Sequence, residues 1–389
     1  MRDKFGLLLL ILALIFIIAL CPSLNAATQK VLYTFTRGTD GGIPSSGVIF
    51  GPDGNLYGVT QYGGPYDAGT VFQLSYNQGN WIFTTLYSFT GGSDGHDPVG
   101  GLTFDEGGNL YGTTYGYGCG TVFKMTPNGS SWTFTTLHTF FYDGCNPEAN
   151  LRFDKESGLL FGTTFAGGSF NQGTAFSIDT DGNNETVYSF SGNKGRAPAG
   201  GINSWHYGTT DLGGKFGFGN IFQWLDGNKA VVKHVFNPRS KVGGYPFGDL
   251  LTQINNGVRT MYGTTQERGI GGQGSVYQLK ENPSKHDEWA LHVLHSFSGA
   301  DGGIPAYGLT PDATGNLYGI TALNPGTVFK LAPVPGRNKW THTILYQFTG
   351  GLDGRLPTGI LAMDANGNLY GTTSEGGAYN TGVVYQIIP

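Results

Sequence analysis

Five aspartates occupy one position of a repeated sequence, each followed by a glycine and, four residues after the aspartate, by a proline. A ring of carboxylates at the mouth of a channel could hold a cation, because hard cations prefer oxygen ligands. The alternative is that each Asp-Gly pair only builds a turn, with the glycine at a positive φ. We favour the turn and predict no metal site, because a calcium loop would crowd more acidic residues into one segment. The five candidates are Asp40, Asp94, Asp143, Asp301 and Asp353.

Aromatic residues beside glycines form a second set of candidates, represented by Tyr62 and Tyr117. A ring exposed next to flexible backbone could stack on a sugar. The alternative is that these rings cover glycine turns and pack between repeats. Together with the five aspartates, the two tyrosines are the predicted ligand-binding residues.

Two cysteines, Cys119 and Cys145, follow the first 26 residues. The repeat places one in a loop inside the second copy and the other in the loop that leads to the third copy. Both loops are expected on the same face, and export would make oxidation possible. A disulfide between them is one expectation, and two free thiols are the other.

The other reactive residues show no catalytic spacing, and no catalytic residue or cofactor is predicted. His138, His234 and His295 replace a tyrosine found in other copies, so we interpret them as repeat variants. No His-Glu-x-x-His zinc motif and no phosphate-binding Gly-x-x-x-x-Gly-Lys loop occurs. An alternative enzyme would draw its residues from the copies that break the pattern, namely Trp205, His206, Asp211, Arg239 and Lys241.

Two short blocks recur seven times and define the repeat. The first reads Asn-Leu-Tyr-Gly in its clearest copies, and its aromatic residues are Tyr57, Tyr111, Phe161, Tyr207, Tyr262, Tyr318 and Tyr370. The second reads Gly-Thr-Val-Phe, and its aromatic residues are Phe72, Phe123, Phe176, Phe222, Tyr277, Phe329 and Tyr385. A period of about fifty residues is typical of propeller blades.

Each copy contains four short runs rich in β-branched and aromatic residues, bounded by Gly, Pro, Asn and Asp. Glycine makes up 67 of 389 residues, which suits tight turns between strands. The run Val31–Phe35 resembles a fourth strand, whereas Gly382–Ile388 resembles a third strand. Pairing the two would close a ring and cover an exposed sheet edge, which an open solenoid, the alternative, would leave bare. We therefore predict that residues 27–389 form an all-β, seven-bladed β-propeller of four-stranded antiparallel blades, closed by the N-terminal strand.

Residues 1–26 have the features of a secretory signal peptide. A mildly basic start precedes an apolar run of about fifteen residues and a small-residue segment. An uncleaved N-terminal anchor is the alternative. We expect the protein in the secreted, periplasmic or cell-envelope fraction of a bacterium, with no membrane contact beyond this segment.

The two blocks resemble the tandem repeat named after Gloeobacter and Verrucomicrobia, the GloVer repeat. The match is clearest in copies one, two, six and seven, whereas the middle copies drift. The resemblance implies an exported or envelope-associated bacterial protein, and the family has no established activity.

Two functions are compatible with these features. The first is a non-catalytic binding or structural protein of the cell exterior, a monomer whose partner is a surface glycan or a protein. Features repeated sevenfold usually serve folding, whereas catalysis needs one asymmetric group of residues. The alternative is a propeller hydrolase or lyase that acts on a polysaccharide or lactone, because propellers host many activities. With 22 basic against 27 acidic residues, the chain has no charge pattern for nucleic acid.

Overall fold

The computed structural model describes residues 27–183, 185–225, 229–237, 239, 241–255 and 257–389, with the side chains of residues 286 and 287 excepted. The signal peptide predicted at residues 1–26 lies outside this part of the chain. Within it, no helix reaches the length and apolarity that crossing a bilayer requires.

Twenty-seven strands among these residues form seven antiparallel sheets, and each sheet is one blade. The chain begins with β1 (Thr28–Thr34), which belongs to blade seven. From the channel outward, blade one contains β2 (Ile49–Phe50), β3 (Leu56–Thr60), β4 (Thr70–Asn77) and β5 (Asn80–Ser88). Blade two contains β6 (Thr103–Phe104), β7 (Leu110–Thr114), β8 (Thr121–Asn128) and β9 (Ser131–Thr139). Blade three contains β10 (Arg152–Asp154), β11 (Leu159–Thr164), β12 (Thr174–Asp179) and β13 (Thr186–Ser189).

The remaining four blades follow the same order, and a short 3-10 turn at Gly192–Lys194 precedes blade four. Blade four contains β14 (Tyr207–Thr210), β15 (Asn220–Leu225) and β16 (Lys229–Val235), and blade five contains β17 (Leu251–Asn255), β18 (Val258–Thr265), β19 (Ser275–Asn282) and β20 (Lys285–Ser296). Blade six contains β21 (Thr310–Pro311), β22 (Leu317–Thr321), β23 (Thr327–Pro333) and β24 (Trp340–Gln347). Blade seven contains β25 (Arg355–Met363), β26 (Leu369–Glu375) and β27 (Val383–Ile388), with β1 outermost.

The ring closes as the sequence predicted. β1 pairs antiparallel with β27, so that Thr28 lies opposite Ile388 and Tyr33 lies opposite Val384. The Phe35 amide continues the contact by donating to the Gly382 carbonyl at 3.1 Å. The prediction of an all-β, seven-bladed propeller closed by its N-terminal strand is confirmed.

Blade four has three strands among the described residues instead of the expected four. In the described part of the chain, one bond between backbone groups joins its innermost segment to the sheet, from the Asn203 amide to the Tyr207 carbonyl at 2.9 Å. The Asn203 side chain accepts the amides of Trp205 at 3.0 Å and Tyr207 at 2.9 Å. An asparagine turn therefore takes up the backbone groups that a strand would have paired.

The core consists of apolar layers between neighbouring blades. One layer joins Tyr57 and Val71 of blade one to Leu110 and Phe123 of blade two, all of them buried. The second strand of a blade is buried on both faces, as β3 and β7 illustrate, because it has a blade on each side. The inner strands line the channel, and loops at its two ends are free to carry function.

Candidate functional site on the loop face

One face of the ring carries the loops between second and third strands together with the interblade loops, and we call it the loop face. The two kinds of loop are held together by isolated bridges, such as Gly42 with Tyr62 and His96 with Gly116. This arrangement brings the predicted aspartates, tyrosines and cysteines to the same face.

The carboxylates of the five candidate aspartates are bound by their own loops. Asp40 accepts hydrogen bonds from the Tyr33 hydroxyl at 3.0 Å and from the Thr36 amide at 2.8 Å. Asp94 accepts the same two bonds from Tyr87 and Thr90. Asp353 accepts them from Tyr346 and Thr349. This is the arrangement expected of turn-building aspartates, and Asp40, Asp94 and Asp353 have few lone pairs left for a cation.

The hydrogen bonds also keep the Asp353 carboxylate ionised. Burial raises the pKa of Asp353, but the bonds from the Thr349 hydroxyl and amide outweigh it, and the net pKa falls below the usual range. Burial and then the hydrogen bond that its hydroxyl donates to Asp353 raise the pKa of Tyr346 to about 12. Each Tyr–Asp pair therefore acts as a fixed clamp between an outer strand and the next loop.

Histidine replaces the tyrosine in two of these clamps and gathers further ligand-type groups. His138 Nε2 lies 2.6 Å from Asp143 Oδ2, with Glu185 Oε1 at 3.6 Å. His295 Nε2 lies 2.8 Å from Asp301 Oδ2, and His342 belongs to the same group. In each group the ligand atoms lie within 4.8 Å of one another.

The two tyrosines predicted to bind ligand differ in their surroundings. Tyr62 lies under the Arg37 guanidinium, 4.9 Å from the ring centroid, so one face is already covered. Tyr117 has a φ of 75° and is exposed. Neither packs in a core, but only Tyr117 offers an open ring.

A different loop position carries a further set of exposed aromatic rings. Six residues after a threonine at or near the end of the second strand, four blades hold an aromatic side chain in the following loop. We call this set the aromatic belt, and its members and exposed fractions are Tyr66 at 65%, Phe170 at 58%, Phe216 at 47% and Tyr379 at 62%. Its recurrence at one loop position makes this set a candidate binding surface.

The mouth of the channel holds one group that departs from the sevenfold pattern. A pocket there is lined by residues of all seven blades, among them Glu148, Asp249 and Tyr307. Glu148 directly follows an interblade proline, at a place where the other copies have Ser45, Val99, Ala199, Phe247, Ala306 and Thr358. It is the one charged residue at that position.

Two carboxyl groups, Glu148 at the mouth and Asp211, have raised pKa values. Burial, assisted by the charge of Asp211, raises the pKa of Glu148 to about 7. Burial also raises the pKa of Asp211 to about 6, with Glu267 adding to the shift and Arg196 opposing it. One Asp211 oxygen is buried without a hydrogen-bond partner among the described residues. Glu148 in the pocket and Asp211, whose charge acts on it, therefore change charge near neutral pH.

The five residues of the alternative enzyme do not converge. Trp205 and His206 precede β14, whereas Asp211 follows it, so they lie at opposite ends of one strand. Trp205 packs against the Arg259 guanidinium at 4.7 Å. Arg239 and Lys241 lie in the next interblade loop, where Lys241 is exposed. Asp211 is the one member whose charge acts on Glu148 at the channel mouth.

Cys119 and Cys145 form a disulfide in this structure, with their Cα atoms 4.2 Å apart. It ties the loop of blade two to the interblade loop that carries Asp143. The amide of Asn146 also donates to the Cys119 carbonyl at 2.8 Å.

Comparison with known proteins agrees with this architecture. The family model described as the Gloeobacter/Verrucomicrobia repeat matches residues 15–206, 117–324 and 202–385. The chain belongs to the Gloeobacter/Verrucomicrobia repeat family. No curated protein matches it.

Solved structures similar to this Gloeobacter/Verrucomicrobia repeat protein share its fold at low identity. A candidate 6-phosphogluconolactonase from Bacteroides uniformis has a TM-score of 0.50 at 15% identity, covering 84% of this chain and 97% of that one. A candidate 6-phosphogluconolactonase from Bacteroides fragilis has 0.50 at 16%, covering 84% and 87%. A protein from Lactobacillus plantarum has 0.50 at 14%, covering 88% and 99%. Identities this low indicate the fold and no chemistry.

Sequence reasoning on this Gloeobacter/Verrucomicrobia repeat protein missed the aromatic belt, Glu148 and the grouping of His295 with His342. A signal existed for the first two. Aligning the copies shows an aromatic residue six positions after Thr60, Thr164, Thr210 and Thr373, and a lone acid after Pro147. The histidine grouping has no such signal, because it joins two neighbouring blades.

Proposed function

We propose that this chain is an exported, non-catalytic binding protein of the bacterial cell exterior, and that its loop face binds a surface glycan. The observation that carries the proposal is the aromatic belt, in which one loop position presents an exposed ring in four blades. It acts as a monomer, and its ligand needs no cofactor.

The belt differs from the aromatic positions of the two repeated blocks in having no packing role. The aromatic residues of the two repeated blocks, such as Tyr57 and Phe72, are buried between blades. Tyr66 and Phe170 recur in register but stay in solvent, where an apolar ring has no stabilising role. A large apolar face beside polar loops is suited to the flat face of a sugar ring.

The placement of the belt favours a polymer over a single sugar. Its members lie in blades one, three, four and seven, so one long ligand can contact several loops at once. Weak contacts that act together raise the overall affinity through effective concentration. A polysaccharide with a repeating unit matches a surface that itself repeats.

Charge and covalent chemistry support the cellular setting. The acidic mouth around Glu148 and the net charge of -5 favour a neutral or cationic ligand over a polyanion. The Cys119–Cys145 disulfide suits an oxidising compartment. The apolar segment in residues 1–26 supports export.

A binding assay on insoluble and immobilised polysaccharides tests the proposal. The variant replaces the belt by alanine at Tyr66, Phe170, Phe216 and Tyr379. We expect the natural chain to be retained by at least one bacterial polysaccharide, and the variant to bind at least about tenfold more weakly, since stacked aromatic contacts are worth about 1 kcal/mol each.

Tyr76→Ala is the matched control. Tyr76 is 59% exposed but lies at the end of β4, away from the loop face. It should leave retention unchanged. Retention that survives loss of the belt, or a natural chain that no polysaccharide retains, would contradict glycan binding by this face.

One observation favours a second candidate, a hydrolase or lyase acting on a polysaccharide or lactone. Glu148 is a carboxyl group at the channel mouth whose pKa of about 7 leaves it partly protonated near neutrality, as a general acid requires. Release of new reducing ends from any bound polysaccharide, or lactone hydrolysis, abolished by Glu148→Gln would establish this function and overturn the non-catalytic one.

A further inference from the structure

The interface between blades five and six contains two histidines and an aspartate that meet in space. His295 ends β20, Asp301 lies in the following interblade loop, and His342 lies in β24 of the next blade. One nitrogen or oxygen of each side chain lies within 4.8 Å of the others. The group is separate from the aromatic belt and from the pocket around Glu148.

Two of the three groups lie close to the spacing of shared ligands. His295 Nε2 and Asp301 Oδ2 are 2.8 Å apart. Ligand atoms that each lie about 2.0–2.2 Å from one tetrahedral zinc ion are separated by roughly 3.3–3.6 Å. The pair can therefore ligate one ion with little movement.

The same place in other blades shows what the fold itself requires. Tyr33 stacks on Phe83 with ring centroids 4.1 Å apart, and Tyr87 stacks on Phe134 at the same distance. His295 stacks on His342 at 4.1 Å with planes 6° apart. Packing needs only two flat rings here, so it does not explain why both are imidazoles.

The second imidazole leaves a polar atom without a partner. His342 Nε2 is buried and has no hydrogen-bond partner among the described residues. Phe83 and Phe134, at the equivalent place, bring no such atom. Because an unpaired buried polar atom destabilises a fold, the exchange of phenylalanine for histidine is unfavourable unless something binds the nitrogen.

We propose that His295, Asp301 and His342 form a binding site for one divalent transition-metal ion of the zinc class. Two imidazoles and a carboxylate suit zinc, copper or nickel better than calcium or magnesium, which prefer oxygen ligands. His342 completes the site by turning about its Cβ–Cγ bond out of the parallel stack. Three protein ligands leave a fourth position for solvent.

A related group between blades two and three provides an internal comparison. His138, Asp143 and Glu185 occupy the corresponding place, but they offer one imidazole and two carboxylates. Zinc is held more weakly by a set with fewer nitrogen ligands of this kind. The site with two histidines is therefore the tighter one.

Isothermal titration of the untagged, metal-stripped full chain with zinc chloride tests the site. We expect one tight ion per chain in the natural protein. His342→Phe should weaken that binding by at least about 100-fold, because even residues that only support a metal ligand change affinity by 10–100-fold. The phenylalanine restores the ring pair found at Phe83 and Phe134, so the fold is kept, and circular dichroism verifies it.

Three further variants make the result specific. His295→Tyr, which restores the Tyr–Asp clamp, should remove tight binding as His342→Phe does. Two substitutions should leave it intact, His138→Tyr and His96→Ala, the second in the half-buried His96–Asp97 pair. Cobalt absorption bands that vanish with His342→Phe would identify the ligands directly. The proposal fails when the natural chain binds no zinc, or when His342→Phe and His295→Tyr bind it unchanged.

Discussion

Tyr33 lies directly opposite Val384, so the first strand of the described chain forms the outer edge of the blade built from its last strands. The contact reaches into the core through Phe35, which is fully buried and meets the Phe72 ring edge-on at 5.2 Å. Phe35 thus joins blade seven to blade one. Closure of the ring rests on this side chain as well as on the strand ladder.

Phe35→Ala should lower the free energy of unfolding by about 3–5 kcal/mol, the usual effect of removing a large buried ring. Phe89→Ala removes the equivalent ring between blades one and two and should have a similar effect. Urea denaturation followed by tryptophan fluorescence measures both. A loss below about 1 kcal/mol for Phe35→Ala alone would mean that the ring holds without its N-terminal strand.

Gly58 illustrates why glycine recurs in the Asn-Leu-Tyr-Gly block. It pairs across the sheet with Phe72, and a Cβ atom at Gly58 would lie 2.5 Å from the tip of that ring. Gly58→Ala should therefore destabilise the protein by about 1–3 kcal/mol through overpacking, measured by urea denaturation. Gly54→Asn is the control, because that site is open and asparagine tolerates its φ of 77°. Equal effects of the two substitutions would refute overpacking as the cause.

The fold could be predicted from the sequence because most copies repeat the same local contacts. Tyr57 caps a turn by donating to Asp53 at 2.8 Å, Phe72 covers Gly58, and the pattern returns in the next copy. Regularity fails in blade four, where Asn203 replaces strand pairing by a turn. One drifting copy is not enough to change the architecture, because its neighbours fix its place in the ring.

The sites could not be predicted to the same extent, because they depend on contacts between copies. Glu148 acquires its raised pKa from burial in a pocket that all the blades line and from the charge of Asp211 in another blade. His342 meets His295 only across a blade interface. Periodicity shows which position of the repeat a residue occupies, but not which residue of the neighbouring copy faces it.

The Cys119–Cys145 disulfide should stabilise the protein by restricting the unfolded chain. It closes a loop with a sequence separation of 26, for which about 2–4 kcal/mol is typical. The Cys119→Ser, Cys145→Ser double variant should lose this amount in oxidising buffer, and the natural chain should lose it when a reductant is added. A double variant that unfolds at the same urea concentration as the oxidised natural chain would argue against the prediction.

The acidic pocket predicts a fall in stability as the pH rises toward neutrality. The pKa of Glu148 rises from its ordinary value of 4.5 to about 7 in the folded protein, mainly through burial. Between these values the folded chain keeps a proton that the unfolded chain releases. The free energy of unfolding contributed by this group is therefore greatest below pH 4.5 and is lost as the pH rises through 7.

Glu148→Gln removes this dependence, because a neutral amide has no proton to release. From pH 4 to pH 8, the unfolding free energy of the variant minus that of the natural chain should increase by on the order of 3 kcal/mol. Urea denaturation across that range measures it. Glu156→Gln alters an exposed carboxylate and should keep the natural profile. Parallel curves for the natural chain and Glu148→Gln would show that the Glu148 carboxyl is as well solvated in the folded chain as in the unfolded one. That result would also remove the observation that favours an enzyme.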